Sequence, residues 1–205
     1  MPIPVSELQK INPNSIIELF ELQLVEGLHY ATGNPSNVPI IYRFHSGVNL
    51  NSNADIIWQS NTYQRFPIEA TGFEYAGTGQ IPRPKLTMSN LGGISRLGSV
   101  IRVTDLLLAT NLVTEHNDLL KAQFKRITTT ADNLDAANFS GGSNPYGTPS
   151  SDENPQEIYE IDRKVTESRA VVEFELVGKQ DLQHVKLPLR QVTRKDFPGV
   201  GTFIN

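Results

Sequence analysis

The sequence predicts a mainly β protein, a β-rich α+β fold of curved antiparallel sheets with one or two short helices and long polar loops. Three observations favour this class. Several segments alternate apolar and polar residues, which is the pattern of a strand with one buried face. Segments with helical spacing are few and short. Residues 140–155 are nearly all Gly, Pro, Ser, Asn, Asp or Glu, which is typical of a loop.

Composition narrows the class of protein. The chain has 205 residues, of which 38% are apolar and 20% charged, as expected of a globular protein with one substantial core. The net charge of −4 argues against a specific nucleic-acid partner or a membrane-surface protein. No apolar run approaches the roughly 20 residues that cross a bilayer, and the amino terminus lacks the pattern of a signal peptide. The absence of cysteine excludes disulfides, thiolate metal sites and thiol nucleophiles.

The first third of the chain is predicted to hold an arm and then strands. Apolar residues recur at every third position within residues 1–14, which predicts a short helix in an amino-terminal arm. Branched and apolar composition predicts strands at residues 16–25, 39–45, 56–58 and from 63 onward, with a turn at 60–61. Phe20, Leu22 and Leu24 fall on one face of the first strand.

The middle of the chain is predicted to hold one strand and two helices. Leu86 and Met88 share one face of a strand at residues 85–89. A helix capped by Ser89 or Asn90 is predicted to reach residue 101, although each glycine inside it would cost about 1 kcal/mol. A second helix is predicted at residues 105–112, with an N-cap at position 104 or 105.

Alternation is strongest in the later strands. Residues 120–128 place Leu120, Ala122 and Phe124 on one face, and Lys121, Gln123 and Lys125 on the other, as a half-buried strand does. Residues 159–176 predict an antiparallel hairpin with a four-residue loop. The predicted register pairs these residues: Val165 with Ala170, Ile161 with Phe174, and Tyr159 with Leu176. Arg163 then falls on the apolar face, which the sequence does not explain.

These elements predict one β-rich domain at residues 15–193, preceded by the arm at 1–14 and followed by a tail at 194–205. Within the domain, residues 140–155 are expected to form a mobile loop or a segment ordered only by a neighbouring subunit.

No pattern in the sequence indicates catalysis. The four histidines, His29, His45, His116 and His184, have no metal-ligand spacing. Residues 77–80 begin like a nucleotide-binding glycine motif but lack its third glycine. We therefore expect no enzyme, no cofactor and no metal site.

Three segments, in the same order along the chain, resemble the minor tail protein L family of lambda-like long-tailed phages: residues 63–91, 118–139 and 157–192. In the first, the matching positions are Tyr63, Pro67, Ile68, Gly72, Phe73, Glu74, Gly77, Gly79, Arg83, Pro84, Leu86, Thr87, Ser89, Asn90 and Leu91. In the second, they are the Asp-Leu strand from Asp118 and the run LDAANF at 134–139.

The resemblance implies a structural protein of the virion, at the tail tip or baseplate hub. It implies a barrel-like tail-tube or hub module, present as a homotrimer, that joins the distal tail protein to the central hub or tip attachment protein. Such a protein is assembled in the cytoplasm of the bacterial host, and the genome passes through the finished tube. Some family members carry a carboxy-terminal iron–sulfur domain, and this cysteine-free sequence is expected to lack it.

Eight residues are candidates for subunit contacts. Arg83 is held extended between two prolines and suits bidentate pairing with a carboxylate. Lys121 and Lys125 share a strand face that would line a tube or simply face solvent. The remaining candidates are Pro84, Phe73, Tyr75, Arg194 and Phe197.

Two other classes of function stay open at this point. A carbohydrate- or protein-binding module without catalysis would use exposed aromatic residues such as Trp58, Tyr63 and Tyr146 as a stacking platform. An enzyme would need paired carboxylates, but Glu69 and Glu74 lie on opposite faces of a strand.

Overall fold

The computed structural model describes residues 9–11, 14–33, 39–47, 55–74, 82–96, 99–179, 197 and 199. Within them lie the strands β1 Ile16–Gln23, β2 Ile41–His45, β3 Ile56–Trp58, β4 Asn61–Arg65, β5 Ile68–Thr71, β6 Lys85–Ser89, β7 Ile94–Arg96, β8 Ser99–Ile101, β9 Gln123–Thr130, β10 Glu157–Glu167 and β11 Val171–Val177. The helix α1 spans Val103–Val113, and two 3₁₀ turns span Ala131–Asn133 and Ala136–Asn138.

Nine of these strands form one open, curled sheet in the order β3-β4-β2-β1-β9-β10-β11-β6-β5. Neighbouring strands in this sheet run antiparallel, except β2 and β4, which run parallel to each other. β7 and β8 form a separate hairpin. The mainly β prediction is therefore confirmed.

Buried side chains lie on both faces of the sheet at β1 and β9, where successive side chains point to opposite faces. Phe20 and Leu22 point into the larger core, which also takes the inner side of α1. Leu19 points the other way, into a smaller core with Trp58 and Tyr63. Each fully buried side chain of this size contributes about 1.5–3 kcal/mol to stability.

The predicted helix at residues 89–101 is wrong, because this stretch forms the β7–β8 hairpin. Gly93 directly precedes β7, and a Cβ there would lie 2.0 Å from Val100 Cγ1. A larger residue would therefore require the exposed Val100 side chain to move.

The second predicted helix is confirmed, with a corrected start. α1 begins at Val103 and its N-cap is Arg102. Asp105 stands at the third helical position, where its Oδ2 accepts the Arg102 N–H at 3.1 Å. Asn90, expected to cap its own segment, instead accepts the Thr104 N–H at 3.1 Å.

The predicted hairpin is confirmed, but its register is not. Ile161 pairs with Leu176, and irregularities follow on either side of Arg163 and Lys164. These shifts turn the Arg163 side chain outward, where Nη2 lies 2.6 Å from Glu175 Oε2. The bulge thus accounts for an arginine that the regular register placed among apolar side chains.

Two further segments differ in detail from the sequence expectation. β9 begins at Gln123 rather than at residue 120, because Asp118, Leu119 and Lys121 have positive φ and cannot continue a strand. Residues 140–155 have neither helix nor strand, and they lie along β9 through the bond from Asn154 N–H to Thr128 O, 2.8 Å long. The mobility of residues 140–155 stays a prediction. The predicted helix of the arm at 1–14 and the tail at 194–205 lie mostly outside the described residues.

Candidate functional site

The two edges of the open sheet are the candidate functional surfaces. Across the described residues, no group of three or more His, Asp or Glu side chains is placed to hold a metal ion. No helix among those residues is long and apolar enough to span a membrane. The edges carry backbone N–H and C=O groups, which are templates for pairing with another chain.

The edge at β3 is closed by a side chain of the same molecule. Asn138 Oδ1 accepts the Ile57 N–H at 2.7 Å, and Asn138 Nδ2 donates to Ile57 O at 2.5 Å. The amide thus makes the same pair of bonds that a neighbouring strand would make. Asn138 is buried and also donates to Asp135 O at 2.8 Å, which fixes its orientation.

The turn beside this edge is held by a carboxylate. Gln59 and Ser60 connect β3 to β4 with φ of 51° and 61°, a left-handed conformation that favours glycine or asparagine. Asp135 accepts both of their N–H groups, at 3.1 Å and 2.7 Å. Asp135 and Asn138 belong to the LDAANF run, so one short segment closes the whole end of the sheet. We call it the sealed edge.

The opposite end, at β5, is open among the described residues. The Ser89 N–H donates to Pro67 O at 3.0 Å, so positions 67, 69 and 71 point their backbone groups at β6. The N–H and C=O groups of Ile68 and Ala70 therefore point away from the sheet. No described residue hydrogen-bonds to them, and we call this the open edge.

Charged side chains brace the strands next to the open edge. Arg83 Nη1 lies 3.2 Å from Glu175 Oε1 and 3.8 Å from Asp162 Oδ2. The Arg163 guanidinium also donates to the Glu175 carboxylate. The two guanidinium groups of Arg163 and Arg83 lower the pKa of Glu175 despite its partial burial. Arg83 thus pairs with a carboxylate, as its setting predicted, but the carboxylate belongs to its own chain.

A second ionic cluster lies at the centre of the sheet. Glu21 stands directly opposite Arg43 on β2 and Lys125 on β9. Its carboxylate binds Lys125 Nζ at 2.8 Å, Arg43 Nε at 3.0 Å and the Tyr63 hydroxyl at 2.9 Å. Burial alone would raise the pKa of Glu21, but these three partners lower it. The Lys125 side chain therefore pairs with Glu21 of the neighbouring strand β1. Lys121 precedes β9 and is exposed.

The other contact candidates fall in different places. Phe73 is only 7% exposed, packs edge-on against Tyr159 and lies under the Arg126 guanidinium, so it is part of the core. Pro84 is also buried. Both side chains are thus covered by their own chain, and a subunit contact through either stays a prediction. Phe197 is half exposed. Tyr75 and Arg194 lie outside the described residues.

The aromatic platform of the binding-module alternative is not formed. Trp58 and Tyr63 are buried in the smaller core. Tyr146 remains half exposed, with its ring edge-on to Phe139. A cleft of about 600 Å³ lies beside this pair, lined also by Ile16 and His45. One exposed tyrosine does not make a stacking surface, so the geometry does not favour this function.

The acidic and histidine candidates within the described residues do not form a catalytic group. Glu69 on β5 and Glu74, three residues beyond its end, are both exposed. His29 is buried, accepts the Val25 N–H at 2.8 Å and lies 3.0 Å from Leu120 O, so it has a structural role. Burial is the main reason why its pKa is lowered. His116 is exposed, and His184 lies outside the described residues.

Sequence reasoning missed the roles of Asp135 and Asn138. Their partners lie 75 to 81 positions earlier in the chain, so no local pattern reveals them. The available signal was the pairing of Asp and Asn in a short turn-forming run directly after a strand, since both side chains readily bond backbone groups.

Comparison with known proteins identifies a family and a relative. A sequence model of the family described as phage minor tail protein L matches residues 37–198. Tail tip protein L of Escherichia phage lambda is 34% identical over 94 residues, which cover 46% of this chain and 34% of that relative. The matched part thus spans about a third of the relative's length.

Proposed function

This chain belongs to the phage minor tail protein L family, and we propose that it is a trimeric adaptor at the tail tip, joining the distal tail ring or tube to the central hub. Membership makes it a structural protein of a phage tail. The lambda relative is named for the tail tip, which supports this position. In this proposal the protein is assembled in the host cytoplasm, carries out no reaction, and the genome passes through the assembled tube.

The observation that carries the proposal is the difference between the two edges. The sealed edge has no free pairing groups at Ile57, so the β5 edge of one copy has no β3 partner on the next copy. Pairing of β5 with β5 is two-fold and cannot close a trimer. The open edge is therefore left for a strand of a different tail protein.

A contact of this kind suits an adaptor. Ile68 and Ala70 offer four backbone groups to an incoming strand, and their side chains face the core. The outward side chains Glu69 and Thr71 add polarity to the rim. Among the contact candidates, Arg83, Lys121 and Phe197 are exposed in the single chain. In this proposal they contact neighbouring subunits or face the lumen of the tube.

Cross-linking mass spectrometry of intact particles tests the proposal. Lys85 lies on β6, next to the open edge, since it pairs with Thr71 of β5. Its exposed amine can react with lysine cross-linkers. We expect Lys85 to link to a different tail protein, and Lys121 to link within the ring formed by this chain. Absence of the chain from purified particles, or links from Lys85 only to other copies of itself, would refute the adaptor role.

A further inference from the structure

An exposed carboxylate lies in the middle of the open edge. Glu69 stands on β5 between Ile68 and Ala70, whose backbone N–H and C=O groups point outward. A strand that pairs with these groups has one residue directly opposite Glu69. In an antiparallel ladder, such as the one between β5 and β6, this is a non-hydrogen-bonded pair, with Cα atoms about 4.5 Å apart and side chains close together. The residue opposite Glu69 therefore contacts its carboxylate.

On the face of the sheet that carries Glu69, the carboxylates of the inner strands are paired with cations on neighbouring strands. Glu173 Oε1 on β11 lies 3.0 Å from Lys85 Nζ on β6. Glu175 Oε2 on β11 lies 2.6 Å from Arg163 Nη2 on β10. Opposite charges on adjacent strands stabilise their pairing. Both strand boundaries are thus bridged by a charge pair.

Glu69 has no such cation. Its neighbour on β6 is the uncharged Thr87, and the next residue in that row, on β11, is the carboxylate of Glu173. Lys85 is the diagonal neighbour of Glu69, but its amine is bound to Glu173. The Glu69 side chain makes no hydrogen bond or ion pair within the part of the chain that the structure describes. Its charge is therefore left for the next strand outward.

The other face of β5 is apolar. Ile68 is buried and pairs with the buried Met88. Ala70 pairs with the buried Leu86 and packs against the larger core, but it is itself only half-buried. A polar side chain opposite Ile68 or Ala70 would lie against this core without a partner, which costs free energy. The next strand should therefore present apolar residues at both of these positions.

We propose that the strand bound at the open edge carries a Lys or Arg opposite Glu69, with an apolar residue on each side of it, opposite Ile68 and Ala70. The inference rests on the proposed function, which assigns this edge to a strand of a different tail protein, and it specifies the chemistry of that strand. Backbone pairing supplies affinity for any strand, whereas the side chains at alternate positions supply the selection. Here the selection is for an apolar–basic–apolar sequence.

The same charge disfavours a second copy of β5 as the partner. An antiparallel β5–β5 pair that uses the outward groups of Ile68 and Ala70 in both copies sets Ile68 opposite Ala70, and Glu69 opposite Glu69. Like charges directly opposite each other destabilise a strand pair. Glu69 thus attracts a basic strand and repels the edge of its own copies, and both effects contribute to specificity.

Charge reversal in the phage tests the inference. Glu69→Lys should lower incorporation of the chain into tails by about tenfold or more, because two cations would then face each other in the contact. Glu69→Gln removes the charge without reversing it, and should lower incorporation by about fivefold at most. The Tm of both variants should match the wild type, since the Glu69 side chain is exposed and has no partner within the described part of the chain.

Glu74→Lys is the matched control. Glu74 is also exposed and makes no ion pair with a described residue, but it lies three residues beyond the end of β5. The net charge changes as it does in Glu69→Lys, so any general effect of charge on assembly appears in both variants. We expect Glu74→Lys to enter tails as the wild type does.

Second-site suppressors of Glu69→Lys should identify the facing residue. We expect growing revertants to replace a Lys or Arg of another tail protein by an acidic or neutral residue, with apolar residues on both sides of the changed position. Suppressors at a position without apolar neighbours, or elsewhere in this chain, would overturn the inference. The second result would mean that the chain covers the edge itself.

The remaining outcomes separate this inference from the proposed function. Incorporation of Glu69→Lys at the wild-type level, or an equal loss in Glu74→Lys, overturns the selection by charge. Ala70→Pro, which removes an outward N–H, then decides the fate of the docking site. If Ala70→Pro is excluded from tails, the edge binds a strand of other chemistry and the adaptor stands. If Ala70→Pro also enters normally, docking at β5 is refuted as well.

Discussion

The two ends of the nine-stranded sheet have similar short strands but use their backbone groups differently. At β3, the Asn138 side chain takes both outward groups of Ile57. At β5, the outward groups of Ile68 and Ala70 have no partner among the described residues. A sheet that leaves one end free and closes the other can accept a partner strand in only one place. The comparison thus shows how an open sheet limits strand pairing with other chains to one edge.

The largest expected effect is the loss of the sealed edge in Asn138→Ala. The substitution removes three hydrogen bonds from a buried amide and should cost about 2–3 kcal/mol of unfolding free energy. Thermal denaturation should show a Tm lower by about 5–10 °C for a chain of this size. The uncovered β3 edge should also promote self-association, visible as increased light scattering.

Asn61→Ala is the matched control for that experiment. Asn61 lies next to the same turn but makes only a long bond, 3.3 Å, from Nδ2 to Gln59 O. Its removal should change stability by less than about 0.5 kcal/mol. If Asn138→Ala and Asn61→Ala had the same Tm as the wild type, the sealed edge would not depend on the Asn138 amide.

The next effect concerns the open edge and appears in assembly rather than in stability. In Ala70→Pro, the missing N–H is one that points outward, so the β5–β6 ladder keeps its bonds. Binding of the partner strand should weaken by about tenfold or more. The measurement is incorporation of the variant into tails, with Tm recorded on the same protein.

Thr71→Pro, one position along, is the contrasting variant. The Thr71 N–H points at Lys85 within the ladder, so this proline should lower stability as well as assembly. Equal incorporation of Ala70→Pro and wild-type protein would show that β5 is not a docking strand.

The sequence could predict the elements whose pattern is local. Phe20 and Leu22 on β1, Leu24 directly after it, and Leu86 and Met88 on β6 are buried as their alternation indicated. α1 was also visible from its apolar run. The family resemblance, now confirmed, was carried by short segments in a fixed order and needed no structure.

What the sequence could not predict depends on distant contacts or on small backbone irregularities. The β7–β8 hairpin brings Gly93 close to Val100, a contact between arms that helix propensity does not include. The β10–β11 register shifts at two irregular positions, and Arg163 changes face as a result. Arg83 was predicted to pair with a carboxylate, but its partner Glu175 lies 92 positions away. The same distance problem concealed the Asn138–Ile57 pairing that defines the site.

A smaller effect distinguishes the centre of the sheet from the open edge by their response to pH. Glu153 lies beside β9, the central strand of the sheet. It is 1% exposed, and its Oε2 has no hydrogen-bond partner among the described residues. Burial raises the pKa of Glu153, outweighing the Gln156 amide at 2.8 Å. The folded state thus binds its proton more tightly than the unfolded chain does. Stability is therefore lost as pH rises from the unfolded pKa through the folded pKa.

Glu153→Gln should remove this loss, because glutamine resembles the protonated acid. We expect the variant to gain stability relative to wild type as pH rises, by about 1.4 kcal/mol for each unit that separates the two pKa values. Glu175, near the open edge, has a lowered pKa, so its contribution is present above the unfolded pKa and lost as pH falls. Urea denaturation of Glu153→Gln and Glu175→Gln across pH should give opposite trends; parallel curves would contradict the assignment.

The smallest effect should be a gain in stability at the turn of the sealed edge. Ser60 has φ of 61° and an exposed side chain, so Ser60→Gly relieves a left-handed conformation without removing packing. Its N–H, and hence the 2.7 Å bond to Asp135, is retained. We expect a gain of about 0.5–1 kcal/mol in urea denaturation. Ser46→Gly, at an exposed serine without positive φ, should instead lose a similar amount, since glycine there only adds freedom to the unfolded chain. Equal effects at both positions would mean that the turn is unstrained, and that the Asp135 carboxylate alone holds this end of the sheet.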